Sequence, residues 1–180
     1  GGADGDLGVK VNGANGGPTP ASFTDAVFEC TKTLERYAIV ETQTPSLDAP
    51  GKHSIGATDV EVIDGVDDFV ELMQQLFDFD RISDLIRGDF PLAFDAMHAV
   101  TGPYARRLLE GLLGAPAGSV RHGTPLEDFG GGHPDPNLTY ANELADLLLN
   151  GDGFRFGAAC DGDGDRNMIL GHRCFVKPSD

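Results

Sequence analysis

Apolar residues recur at helical spacing at Phe23, Val27, Cys30, Leu34 and Tyr37, which predicts one amphipathic helix over residues 20–38. Thr19-Pro20 supplies an N-cap followed by proline at the first helical position. Ahead of it, residues 1–20 are glycine-rich with Asn12, Asn15, Pro18 and Pro20 interleaved. They read as a loop or hairpin, with residues 7–11 as a short strand. From 42 to 58 the chain turns to Pro, Ser, Gly and Thr without periodicity, a linker. Alternation resumes at 59–63, a strand, and Asp64 then caps a helix with Val66, Phe69, Val70, Met73 and Leu76 on one face. The pattern continues with a short helix at 81–86, a strand at 92–97 and a helix opened by Thr101-Gly102-Pro103 that runs through Leu113. A weak strand near 119–122 and a long glycine–proline loop at 127–137 follow. A helix at 138–149 and strands at 154–160 and 168–170 complete the series. Strands alternating with helices predict an α/β fold with a mostly parallel mixed sheet flanked by helices. Neither an internal repeat nor a low-complexity tract interrupts the pattern.

Composition narrows the function. The 180 residues are 40% hydrophobic, enough for a folded domain with a real core. Thirteen basic residues against 29 acidic ones give a net charge of -16. That balance excludes a basic stripe for nucleic acid and disfavours an anionic membrane surface. Apolar runs fall far short of the roughly 20 residues a spanning helix needs, and Gly1–Asp6 lacks the basic and apolar regions of a signal peptide. Three cysteines, Cys30, Cys160 and Cys174, are an odd and sparse set that suits a reducing compartment, and a cytoplasmic location is expected. The chain opens on Gly1-Gly2 and ends on Lys177-Pro178-Ser179-Asp180, so it reads as a piece of a longer polypeptide.

The chemistry concentrates in Asp161-Gly162-Asp163-Gly164-Asp165-Arg166, directly after the apolar strand 156–160. Three carboxylates at i, i+2 and i+4 repel one another unless a cation sits between them, and the glycines let the backbone turn tightly enough for all three to converge. Hard oxygen ligands in that number suit magnesium or calcium. An EF-hand also begins D-x-D-x-D, but its sixth position needs glycine and holds Arg166, and its twelfth needs glutamate and holds His172. A solvated acidic turn is the plainer alternative. Arg166 has two readings, a guanidinium fork for a phosphate group or a salt bridge to one of the aspartates. Lys10 is the only cation in the first thirty residues, and on spacing alone it reads as a solvated lysine. His133 sits in a proline-stiffened loop and His98 follows a strand; each has a structural reading at least as good as a functional one. Cys160 has no histidine base beside it and reads as a small core residue. No serine stands in a GxSxG elbow.

The stretches GDLGVKVNGANGGPTP, FDAMHAVTGPY, PLEDFGGGHPDPNLTYA and FGAACDGDGDRNMIL together resemble the phosphoglucomutases of the α-D-phosphohexomutase superfamily, the branch acting on glucose phosphates. The resemblance covers nearly the whole chain but only the middle of those four-domain enzymes. It implies that residues 1–55 form the end of a first phosphohexomutase domain and a linker. Residues 56–176 are then the second domain with the metal-binding loop, and 177–180 begin a linker to a third. It further implies Mg2+-dependent interconversion of glucose 1-phosphate and glucose 6-phosphate through a phosphoserine and glucose 1,6-bisphosphate, the intermediate and activator. The metal ligands are then Asp161, Asp163 and Asp165. Asp165 and Arg166 bind the sugar phosphate, Arg166 also acting in catalysis, and Lys10 serves in proton transfer near the phosphoryl group. Glucose phosphates and the remaining domains of the same polypeptide are the partners implied, with neither nucleic acid nor membrane among them.

The departures count as well. The family's serine loop, T-A-S-H-N-P-G-G, overlaps this chain only in its last two glycines, so the nucleophile lies outside it and the segment alone is expected to be inactive. Cys160 stands where the family usually carries a bulkier apolar residue, and Ala99 where glycine is common. A non-catalytic scaffold or phosphoprotein of the same family and a calcium-binding module are the competing functions.

Overall fold

A computed structural model describes residues 8–177 and 179. The chain divides after Val62 into two units. The sequence places a boundary at residues 55/56. The division falls later because β1 (Gly51–Ile55) and β2 (Thr58–Val62) pair antiparallel as one hairpin around Gly56-Ala57, which brings part of the expected linker into regular structure.

The N-terminal unit holds α1 (Ala21–Thr31) and the β1–β2 hairpin. Leu7 lies outside the described residues, and Asn12 bridges Pro18 across the glycine turn. The helix starts one residue later than the sequence suggests, with Pro20 as its N-cap. The Thr19 hydroxyl instead donates to the Val11 carbonyl at 3.1 Å. It also ends at Thr31, well short of residue 38. Two physical reasons stand out. Thr31 and Thr33 are β-branched, and their hydroxyls bond back to the Phe28 and Cys30 carbonyls. No described residue up to Val62 is buried, so Leu34 and Tyr37, at 70% and 90% exposure, meet no apolar surface that would extend the helix.

The C-terminal unit is an α/β domain. Asp64 caps α2 (Gly65–Leu76), its side chain accepting from Val66 N at 2.9 Å. Asp78 does the same for α3 (Phe79–Arg87). β3 (Leu92–Asp95) follows, then α4 (Thr101–Ala105), which runs on as a π-helix over Arg106–Leu112. The remaining elements are β4 (Val120–Arg121), a 3₁₀ turn at Phe129–Gly131, α5 (Asn142–Leu149), β5 (Phe156–Cys160), β6 (Asn167–Gly171) and β7 (Cys174–Val176). β7 closes a chain end where the sequence pattern shows no element, because Cys174–Val176 is only three residues long.

The five-stranded sheet runs β4-β3-β5-β6-β7. It is mixed: β4, β3 and β5 are mutually parallel, while β5–β6 and β6–β7 are antiparallel hairpin pairs. Strand alternation sends Ala93, Ala159, Met168 and Leu170 to one face, where Leu144, Ala145 and Leu148 of α5 bury them. Leu92 faces the opposite side, packed with Ile86, Leu113 and Ala115 and with partly buried Phe79, Ile82, Leu109 and Phe156. Helices thus cover both faces of the sheet, and the carboxyl ends of β3, β4 and β5 share one edge. Among the described residues, no helix is long and apolar enough to cross a membrane.

Leu148 is fully buried beneath the sheet. Leu148→Ala is expected to lower the free energy of unfolding by about 2–5 kcal/mol, the usual range for a buried leucine truncated to alanine, read as a lower urea midpoint.

Candidate metal centre

β5 delivers its last residues to the edge where α/β sheets commonly bind ligands. Asp161, the first residue past that strand, is only 3% exposed. The chain then reverses over Gly162–Asp165 and returns as β6. Gly164 makes the reversal feasible: its φ is +79°, and a Cβ there would meet Thr101 Cγ2 at 2.7 Å. Gly164 N donates to the Asp161 carbonyl, and Asp161 N donates to the Arg166 carbonyl, closing the loop. A strand on each side, with no flanking helices, separates this loop from an EF-hand.

Asp161, Asp163 and Asp165 each offer a ligand atom, and these atoms lie within 4.8 Å of one another. Asp161 is buried and the other two are exposed, so the cluster is an anchored base with two arms open to solvent. All the donors are hard carboxylate oxygens, the set that fits Mg2+ or Ca2+.

Of the two readings that the sequence leaves open for Arg166, the structure shows the salt bridge. The Arg166 backbone N donates to Asp161 Oδ1 at 3.1 Å and its Nε to Asp161 Oδ2 at 2.8 Å. Its Nη1 donates to Asp135 Oδ1 at 2.8 Å. Bonding to Asp161 pushes the guanidinium pKa above its ordinary value, reinforced by the charges of Asp161, Asp135 and Asp165 against a smaller opposing effect of burial. The side chain nevertheless stays 62% exposed. It therefore fixes Asp161 while keeping a charged face toward solvent.

Asp135 is a residue that the sequence reading misses. It lies in the HPDPN stretch, where attention falls on His133, and Asn137 Nδ2 donates to its second oxygen at 2.7 Å. His133 itself rests on the Tyr140 ring at 4.5 Å. Asp95, at the end of β3 and 3% exposed, also lacks a motif; it accepts from His122 Nδ1 at 2.9 Å and from Met97 N at 2.8 Å. Asp95, Met97, His122, His133 and Tyr140 border a cavity of about 200 Å3 at the same sheet edge. Lys10 is exposed and belongs to the N-terminal unit, and the four other candidate residues belong to one loop of the C-terminal unit.

Residues 67–173, more than half of the chain, match the phosphoglucomutase/phosphomannomutase α/β/α domain II. The chain belongs to this family. A phosphoglucomutase of Rhizobium radiobacter is 51% identical over 180 residues, covering all of this chain and 33% of that protein. The chloroplastic phosphoglucomutase of Arabidopsis thaliana is 49% identical, with all of this chain and 29% of that protein covered. Among solved structures, the open form of the exocytosis-sensitive phosphoprotein parafusin from Paramecium, described as a phosphoglucomutase, superposes with a TM-score of 0.86. That match has 43% identity and covers 96% of this chain and 33% of that one. The chain thus spans about a third of the length of these phosphoglucomutase relatives.

Two measurements check the centre. Asp163→Asn removes one anionic ligand and is expected to weaken divalent-cation binding about tenfold or more; unchanged affinity in calorimetry contradicts the assignment. Burial, and secondarily the neighbouring Asp161 carboxylate, pushes the Cys160 thiol pKa up, leaving less reactive thiolate at a given pH. Iodoacetamide at mildly alkaline pH should therefore label the exposed Cys30 and Cys174 before Cys160, as peptide mass spectrometry would show.

Proposed function

We propose that the natural polypeptide carrying this segment is a phosphoglucomutase. It interconverts glucose 1-phosphate and glucose 6-phosphate by way of a phosphoserine outside this chain and glucose 1,6-bisphosphate. The supporting observation is the convergence of the Asp161, Asp163 and Asp165 ligand atoms within 4.8 Å, in a chain about half identical to phosphoglucomutases.

Asp161, Asp163 and Asp165 are the residues that would hold Mg2+, which when bound offsets the negative charge of the transferring phosphoryl group. Phosphoryl transfer asks the protein for positioning and charge compensation more than for covalent help. Arg166 meets that need from this chain: anchored by Asp161 and Asp135, it offers its exposed face to a sugar phosphate. Asp165 borders the same sugar phosphate. Lys10 carries a proton near the phosphoryl group. The net charge of -16 does not oppose an anionic substrate, because a local cationic focus governs the field inside a cleft.

In this account residues 1–55 finish a first domain, 56–176 form the second and 177–180 lead toward a third, the other domains completing the active site. The compartment is the cytoplasm, in keeping with three unpaired cysteines. A second reading, a family phosphoprotein without turnover, draws on the description of parafusin as an exocytosis-sensitive phosphoprotein as well as a phosphoglucomutase.

The purified natural polypeptide should interconvert the two glucose phosphates in a coupled assay with Mg2+ and lose that activity on chelation. Asp135→Asn, which weakens the hold on Arg166, should lower kcat about tenfold or more. The 180-residue chain alone should show no turnover. A whole polypeptide that binds Mg2+ but shows no turnover would favour the second reading.

A further inference from the structure

The segment after β4 links two places at the carboxyl edge of the sheet. Its far part meets the Asp161–Arg166 loop at Asp135, which accepts from Arg166. Phe129 Cζ and Pro134 Cγ stand beside Gly162, each 3.5 Å from where a Cβ on that glycine would stand. Its near part is fastened to a single residue of the loop after β3, His98. The His98 carbonyl accepts from Leu126 N at 2.9 Å, and His98 N donates to the His122 carbonyl at 2.9 Å. His98 Nδ1 lies 3.0 Å from the Thr124 carbonyl. A carbonyl only accepts, so Nδ1 carries the proton. The ring edge also closes over Gly130, where a Cβ would come within 3.0 Å of His98 Cδ2. His122, fixed by Asp95, backs the His98 ring at 4.8 Å between centroids.

Backbone strain gathers at the same place. Met97, His98, His122 and Phe129 all have left-handed φ, between 46° and 55°, and all four line one cavity. Non-glycine residues persist in that conformation only where the surroundings enforce it, and such residues cluster at functional sites.

We propose that His98 is a positioning residue for the cation site: its Nδ1–H and ring edge fix the 124–136 segment, which in turn sets Phe129, Pro134 and Asp135 against the Asp161–Arg166 loop. This rests on the assignment of that loop as a cation site. His98 touches neither cation nor substrate. It acts through the segment it clamps, in the way that residues behind a ligand shell commonly tune metal affinity.

A pair of near-isosteric substitutions in the natural polypeptide tests this. Asn places an amide N–H where His Nδ1 stands and tolerates left-handed φ, so His98→Asn should keep Mg2+ affinity within about twofold. Gln reaches the Nε2 position instead and leaves Thr124 without its donor. His98→Gln should therefore weaken Mg2+ binding about tenfold in calorimetry, with faster amide hydrogen exchange across 124–136 and 162–165. Mg2+ affinity equal to the unmodified protein in His98→Gln, or equal losses in both variants, overturns the positioning role. Asp163→Asn, run in parallel, separates the two failures. If it loses Mg2+ binding while His98→Gln does not, only the role of His98 falls. If it too binds Mg2+ normally, the cation site itself falls.

Discussion

Three carboxylates held within 4.8 Å on one short turn constitute an electrostatic load that the surrounding fold is arranged to bear. Like charges at this separation favour a cation between them. The load is met first by Arg166, which locks both oxygens of the buried Asp161. The two exposed aspartates then stand where a divalent ion would complete the neutralisation. Gly164 sets how tightly the turn can be drawn, and the β5–β6 ladder clamps its two ends from Cys160–Asn167 onward. The strands, the glycine and the arginine therefore serve one purpose, which is to keep three anions together at a fixed place.

The sheet places that load where it is useful. Because β4, β3 and β5 are parallel, the loops that follow them emerge at one edge. Residues distant in sequence, such as His98, His122, Asp135 and Asp161, become neighbours or near neighbours through shared partners. Chelation and phosphate recognition can then use groups drawn from several loops, each held by a rigid strand end. The relatives are about three times as long as this chain.

Much of this was legible in the residues, and the reason differs from place to place. The loop after β5 announces itself because D-G-D-G-D is local: spacing alone brings the carboxylates round. The cap at Asp64 is of the same kind, whereas the Asp78 cap stands outside the apolar pattern, because the helix behind it begins earlier than that pattern suggests. Asp135 and Asp95 were hidden because their importance is purely tertiary, one meeting an arginine 31 positions away and the other a histidine 27 positions away. The end of α1 departs from the apolar pattern for a related reason. Leu34 and Tyr37 continue the helical period, but a period extends a helix only when something buries the stripe. The antiparallel half of the sheet was similarly muted, since β7 is three residues long.

Anomalous diffraction from crystals of the natural polypeptide grown with Mn2+ in place of Mg2+ tests the central claim most directly. The account predicts one strong peak beside the β5–β6 turn, within bonding distance of an oxygen from each of Asp161, Asp163 and Asp165. A protein that crystallises with Mn2+ present but shows no peak there, or a peak held by other residues, would contradict it.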